Sequence, residues 1–341
     1  MNIAPYGFRT VGACTETRRT VIWSAAFSGY ATLDERAETG REGYLSAFTF
    51  GDDFRRHLDG TGSTAGFDGA CWSPWLWFDL DRDNLDVARR DAARLVLSIV
   101  ERYRLDDAEL LIFFSGSKGF HVGLPMAHWQ PEPSARYNRV ARRVAEGLAG
   151  AAAVAIDTGV FDKVRLFRAP NSRHGKTGLH KLRLSLDELT GLSVAAILDR
   201  ATKPEAFDVP ALQHRREQSE AAADWQTAAE WVTREAEATA QRRAANNGNV
   251  KLNRATLEFI RDGVGTGDRH RLLFSAAANL AEFGCSSTLA HALLTEAALD
   301  SGLPPNDVHR QIECGLAHKP KLDRLFNDAT DGGKGYYDAR L

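Results

Sequence analysis

Runs of consecutive apolar residues alternate with amphipathic stretches through the first 190 or so positions. Trp75-Leu76-Trp77-Phe78 predicts a buried strand that runs into Asp79-Leu80-Asp81. From Leu85 to Tyr103, the residues Ala88, Ala92, Leu95, Val96, Ile99, Val100 and Tyr103 recur at helical spacing and predict an amphipathic helix. Leu110–Phe114 reads as the next strand, Ser115-Gly116-Ser117-Lys118-Gly119 as a tight turn, and Phe120–Leu124 as a returning strand. A helix is predicted over Ser134–Leu148, with short strands near Val154–Ile156, Val164–Phe167 and Leu182–Leu186. Residues 1–70 read as mixed strands and turns: Thr20–Trp23 and Leu45–Phe50 have β composition, and Gly51, Gly60, Gly62 and Gly66 punctuate them.

After Asp187 the pattern changes. Residues 211–249 predict a polar helical connector with Trp225, Trp231 and Val232 as its large apolar anchors, broken at Asn246-Asn247-Gly248-Asn249. Residues 250–320 predict three or four short helices with stops at Gly263, Gly284 and Gly302. Residues 321–341, with Gly332-Gly333-Lys334-Gly335, read as a tail or linker. The expected organisation is therefore an α/β catalytic-type domain over 1–210, the connector, and a small all-α domain, with no internal repeat.

Composition narrows the possibilities. Lys+Arg 43 against Asp+Glu 45 gives a net charge of −2, which excludes a uniformly basic nucleic-acid coat but leaves room for a local basic channel. Cys14, Cys71, Cys285 and Cys314 form no Cys-x-x-Cys pair, so no zinc is expected and a disulfide framework is disfavoured. There is no basic and apolar leader after Met1 and no long apolar run, so a soluble, cytoplasmic protein without a membrane partner is expected.

Asp79 and Asp81 sit two apart at a strand end. The period of two places both carboxylates on one face, with Cα atoms roughly 6–7 Å apart. That spacing suits hard cations such as Mg²⁺ or Mn²⁺, two of which can clamp the oxygens of a phosphoryl displacement. Asp-x-Asp is equally the pattern of turn-forming acids, and Asp83 and Asp86 lie where a helix cap is expected. Asp157 follows Val154-Ala155-Ile156 and precedes the most basic stretch of the chain. Between Val160 and Arg183 lie Lys163, Arg165, Arg168, Arg173, Lys176, Lys181 and Arg183, opposed by Asp162 alone. Concentrated positive charge beside three carboxylates points to an anionic substrate at a metal centre.

Two segments suit phosphate. In Ser115-Gly116-Ser117-Lys118-Gly119-Phe120-His121, the glycines permit a turn with exposed N–H groups while Lys118 and His121 offer donors; a plain hairpin with a solvated lysine fits as well. Arg165-Leu166-Phe167-Arg168-Ala169-Pro170-Asn171-Ser172-Arg173-His174-Gly175-Lys176-Thr177-Gly178 ends like a Walker A motif, but Pro170 stands where that motif needs glycine.

Phe78-Asp79-Leu80-Asp81, the Ser115–His121 segment, and Ile156-Asp157 with Arg165–Gly178 together resemble the three motifs of the archaeo-eukaryotic primase superfamily, in the same order over roughly residues 70–190. The resemblance implies a primase-polymerase catalytic core of α/β (α+β) class with an RRM-like half. It implies that Asp79, Asp81 and Asp157 hold two metal ions, Mg²⁺ or Mn²⁺. It assigns Ser115, Lys118, His121, Arg165, Arg168 and His174 to the phosphates and sugar of an incoming NTP or dNTP. The zinc knuckle of cellular members is missing. Gly267-Asp268-Arg269-His270-Arg271 and Phe283-Gly284 instead resemble the C-terminal helical domain of primases from plasmids, phages and other mobile elements, where a replicative helicase often follows.

The expected activity is nucleotidyl transfer that starts and extends primers on single-stranded DNA. The alternatives are a gap-filling repair polymerase of the end-joining type and a non-catalytic protein that binds an origin or single-stranded DNA. Trp72, Trp75 and Trp77 fit base stacking or a core, and Arg136, Arg139, Arg142 and Arg143 fit a template backbone or a solvated helix face. His128, His180, His270, His291, His309 and His318 share no ligand spacing and read as structural or surface residues.

Overall fold

A computed structural model describes residues 5–318 apart from 130, 212–218, 246–251 and 266. The expected tail over 321–341 and the break at Asn246–Asn249 lie outside the described residues. The chain divides into two compact units, residues 1–237 and 238–341.

The first unit is mixed α/β. It begins with β1 (Tyr6–Val11), β2 (Arg19–Ile22), α1 (Trp23–Ala31), β3 (Gly43–Ser46), β4 (Thr49–Phe50), α2 (Asp52–Thr61) and β5 (Cys71–Trp72). Next come β6 (Trp75–Asp81), α3 (Leu85–Tyr103), β7 (Leu111–Phe114), β8 (Gly119–Pro125) and α4 (Tyr137–Ala151). After β9 (Leu166–Arg168) and β10 (Leu182–Leu184) follow α5 (Leu186–Gly191), α6 (Val194–Arg200) and the long α7 (Ser219–Ala245), which continues past the unit boundary at residue 237. One sheet has the order β5-β4-β1-β3-β9 with β2 on β1, and the other has the order β10-β7-β8-β6; every pairing in both is antiparallel.

The four-stranded sheet positions the acidic pair. In β6, Trp75, Leu76, Trp77, Phe78 and Leu80 are buried, because β6 sits against packed layers that accept a continuous apolar run. Trp75 and Trp77 are therefore core, not a stacking platform. The helix α3 buries Ala88, Ala92, Leu95, Val96 and Ile99 completely, at about 1.5–3 kcal/mol for each large aliphatic side chain. Its cap is Asn84, whose side chain accepts from the Val87 N–H at 3.1 Å, while Asp83 stays outside the helix and Asp86 sits in its first turn.

Several local expectations are corrected. Residues 23–31 and 52–61 are helices within a region that reads as strands and turns. Trp23, Phe27 and Tyr30 recur at helical spacing and are buried, and Gly51 precedes the acidic first turn Asp52-Asp53. Val154–Ile156 joins no ladder; it is an extended connection into Asp157. The strand predicted over Leu182–Leu186 stops at Leu184, because Ser185 and Glu188 form a capping box that opens α5. Arg143 lies over the Trp231 ring at 4.6 Å, and Arg142 pairs with Glu146 at 2.8 Å. In the N-terminal half of α7, Ala221, Ala228 and Val232 join the core of the first unit.

The second unit is all-α: α8 (Arg254–Asp262), α9 (Arg269–Glu282), α10 (Ser287–Asp300) and α11 (Pro305–Leu316) surround Phe259, Leu273, Leu280, Leu294, Val308 and Ile312. Gly263, Gly284 and Gly302 take positive φ at the helix ends, as their left-handed conformations require. Arg269 donates to the Ser301 and Gly302 carbonyls at 2.9 and 3.0 Å, which ties the start of α9 to the end of α10.

Candidate active site

β6 and β8 set the spacing of the site. Their register pairs Asp79 with His121 and Asp81 with Gly119. Asp79, His121 and Asp81 thus share one end of the sheet by backbone geometry alone. The third carboxylate arrives from a loop: the Asp157 N–H donates to the Asp79 carbonyl at 2.8 Å, while its side chain accepts from the Gly159 N–H at 2.8 Å. Arg82 holds that loop. Its guanidinium donates to the Ala155 carbonyl at 2.7 Å and pairs with the buried Asp91 at 2.7 Å.

The turn between β7 and β8 forms the opposite wall. The Ser115 N–H donates to the Gly119 carbonyl at 2.9 Å, and the Gly119 N–H reaches Ser115 Oγ at 3.3 Å. Gly116 sits at φ 84°, a left-handed conformation that admits glycine readily. Lys118 Nζ lies 3.4 Å from Asp81 Oδ2.

The long basic segment folds back to close the cleft, and its middle is scaffold. Asn171 is fully buried at φ 58°; its amide donates to the Tyr30 and Glu205 carbonyls, each at 2.9 Å. Ser172 Oγ donates to the Ala169 carbonyl at 2.8 Å. These bonds leave Arg168 and His174 on the cleft wall. The Arg168 guanidinium lies over the Tyr44 ring at 4.9 Å and donates to the Tyr44 hydroxyl at 3.1 Å. His174 Nδ1 accepts from the Lys176 and Thr177 N–H groups at 3.2 and 3.3 Å, so Nε2 carries the ring proton in the neutral imidazole.

Asp79, Asp81, Ser115, Lys118, His121, Arg165, Arg168 and His174 line one open cleft, together with Tyr44, Ser117, Val160, Leu166 and Phe167. Asp157 stands beside it, close enough to act on the Asp79 charge. All nine residues singled out in the sequence are therefore gathered at one place.

The electrostatics follow from burial. Asp79 is pushed up to about 7 by desolvation, then by the charges of Asp81 and Asp157, against the pull of Lys181 and Arg165. Its Oδ1 is buried without a hydrogen-bond donor; His121 Nε2, 3.5 Å away, is not placed to donate. His121 is buried against the Phe167 ring at 4.2 Å, and desolvation together with Lys181 and Arg168 holds it well below the usual imidazole range. His174 is lowered too, first by burial and then by Arg168.

Two neighbours carry no distinguishing sequence signal. Tyr44 anchors Arg168. Lys181 is 1% exposed and lies beneath the site, its Nζ donating to the Arg168 carbonyl at 2.8 Å and sitting 4.4 Å from the Phe167 ring centre. It is one of several basic residues in its stretch, and only the fold separates it from the solvated ones. Arg55, by contrast, lies on α2 and pairs with Asp52 at 2.7 Å.

No protein-family model matches this chain, and no curated protein matches its sequence. Among solved structures there is a likeness to the crystal structure of primase RepB', at 13% sequence identity and a TM-score of 0.34, over 98% of this chain and 96% of that chain.

Proposed function

We propose that this chain is a DNA-dependent primase-polymerase, which synthesises primers on single-stranded DNA and extends them by nucleotidyl transfer. The observation that carries the reading is the meeting of two carboxylates, Asp79 and Asp81, with a wall of Lys118, Arg165, Arg168 and His174 in one cleft, and a third carboxylate, Asp157, beside it. The run β6-α3-β7-β8, with β8 between β6 and β7, supports the RRM-like half of such a core.

Mg²⁺ or Mn²⁺ fits the acidic side. Asp79 Oδ1 is buried without a donor, and its carboxyl is raised first by desolvation and then by two like charges, a state that a bound cation relieves. Asp79, Asp81 and Asp157 would hold a metal pair, whose contribution when bound is to neutralise charge on the phosphoryl oxygens. The chain's own residues do the rest. Arg165, Arg168 and Lys118 attract and orient the triphosphate, and His174 Nε2–H donates to it as a neutral group. The attacking hydroxyl forms a bond to the α-phosphorus, and the bond to pyrophosphate breaks.

The test is incubation with a single-stranded template, labelled NTPs or dNTPs and Mn²⁺ or Mg²⁺, without primer. Labelled oligomers are the expected product. Extension only of an added primer would favour a gap-filling repair polymerase. Template binding without incorporation under either condition would leave a non-catalytic DNA-binding protein.

A further inference from the structure

In the all-α unit, His291 on α10 faces His309 and Glu313 on α11. His291 Nε2 lies 2.9 Å from Glu313 Oε1, the two imidazole rings have centroids 5.0 Å apart, and one ligand atom from each residue lies within 4.8 Å of the other two. His309 and Glu313 are one helical turn apart and so share a face. Ser287, one turn before His291, donates to Glu313 Oε1 at 2.6 Å and fixes that carboxylate in place.

We propose that His291, His309 and Glu313 form a site for one divalent transition-metal ion, Zn²⁺ by ligand chemistry, which ties α10 to α11. Two imidazoles and a carboxylate are a zinc donor set, with a solvent molecule as the fourth ligand. Bonds of about 2.0–2.2 Å to a tetrahedral ion place donor atoms about 3.4 Å apart, inside the range these side chains span. Ser287 supplies the outer hydrogen bond that orients a ligating carboxylate. Imidazole ligands also separate this site from the all-carboxylate centre of the first unit, which suits hard cations.

The experiment titrates Zn²⁺ into the full chain against a chromophoric chelator, with millimolar Mg²⁺ present to occupy the carboxylate centre. The wild-type chain should hold one Zn²⁺. His291→Ala and His309→Ala should each weaken it by about a hundredfold or more, Ser287→Ala by about tenfold, and Asp79→Asn should leave it unchanged. His309 is exposed, so His309→Ala should melt like the wild type without metal yet lose the rise in Tm that Zn²⁺ produces in the wild type. Absence of zinc binding in the presence of Mg²⁺, or full binding in His309→Ala, would overturn the site and leave a plain His291–Glu313 hydrogen bond.

Discussion

The acidic cleft of the first unit and the His291–His309–Glu313 set of the second gather similar chemistry in opposite settings. Asp79 is half-buried at a strand end beside Asp81 and Asp157, its buried Oδ1 lacks a donor, and it is pushed up to about 7. Glu313 stands on a helix face, accepts from Ser287 and His291, and is held below its usual range. A carboxylate is raised where burial and like charge dominate, and lowered where donors reach it first. The cleft therefore leaves Asp79 Oδ1 without a donor, whereas in the helical site Ser287 and His291 reach Glu313 and hold the carboxylate in place.

The largest test of this contrast removes the cleft's carboxylates. Under the proposed function, Asp79→Ala, Asp81→Ala and Asp157→Ala should each lower nucleotide incorporation by about a thousandfold or more while circular dichroism stays native, since each would remove a metal ligand and with it several kcal/mol of transition-state stabilisation. Next in size is a gain in stability. The folded-state pKa of Asp79 lies above its unfolded value, so its contribution is fully present below the ordinary carboxylate range and is lost as pH rises through about 7. Asp79→Asn keeps the uncharged form at every pH. In chelator at pH 8 it should be more stable than wild type by on the order of 2–4 kcal/mol in urea denaturation, with a smaller gap at pH 5.

Arg168→Ala tests the cationic wall. It removes charge-assisted hydrogen bonds worth roughly 1.5–3 kcal/mol, and nucleotide affinity should fall about ten- to a hundredfold by equilibrium titration. The Lys181 bond to the Arg168 carbonyl survives that change, so melting should move little. The smallest effect belongs to the helical site: His309→Ala without metal should shift stability by no more than about 0.5 kcal/mol.

The sequence made the acidic pair legible because a strand's period of two is a strong geometric rule, and Asp79-Leu80-Asp81 ends an unbroken apolar run. Asp157 was legible as a position, but its support was not. Val154–Ile156 has strand composition, yet it is held by the bonds of Arg82 and Asp157 to backbone carbonyls, contacts between residues some 75 positions apart. The same limit hid α1 and α2. Glycines around them suggested turns, while the buried faces of Trp23, Phe27, Phe54 and Leu58 depend on the sheet they cover. Within the basic segment, charge gave Arg165, Arg168 and Lys181 the same weight and only the family resemblance set the two arginines apart, although Lys181 is buried among aromatic rings. The histidines on α10 and α11 share no linear spacing because two helices contribute to one cluster.

The ladder between β6 and β8 has a consequence for tolerance to change. Seven consecutive residue pairs lock Trp75 through Asp81 against Pro125 through Gly119, so the interval between the two acids is a length standard inherited from the peptide unit rather than from side-chain packing. Gly119 extends the same rule. A Cβ there would collide with the Asp81 carboxylate and the Leu80 carbonyl, so the position opposite the second acid must stay bare. Variation can reshape the cleft through its loops, where Lys118 and His174 reside. The distance between Asp79 and Asp81 cannot drift by degrees: a residue inserted or lost between them puts the two acids on opposite faces of the sheet, and a one-residue slip of the ladder keeps their distance but turns both away from the cleft.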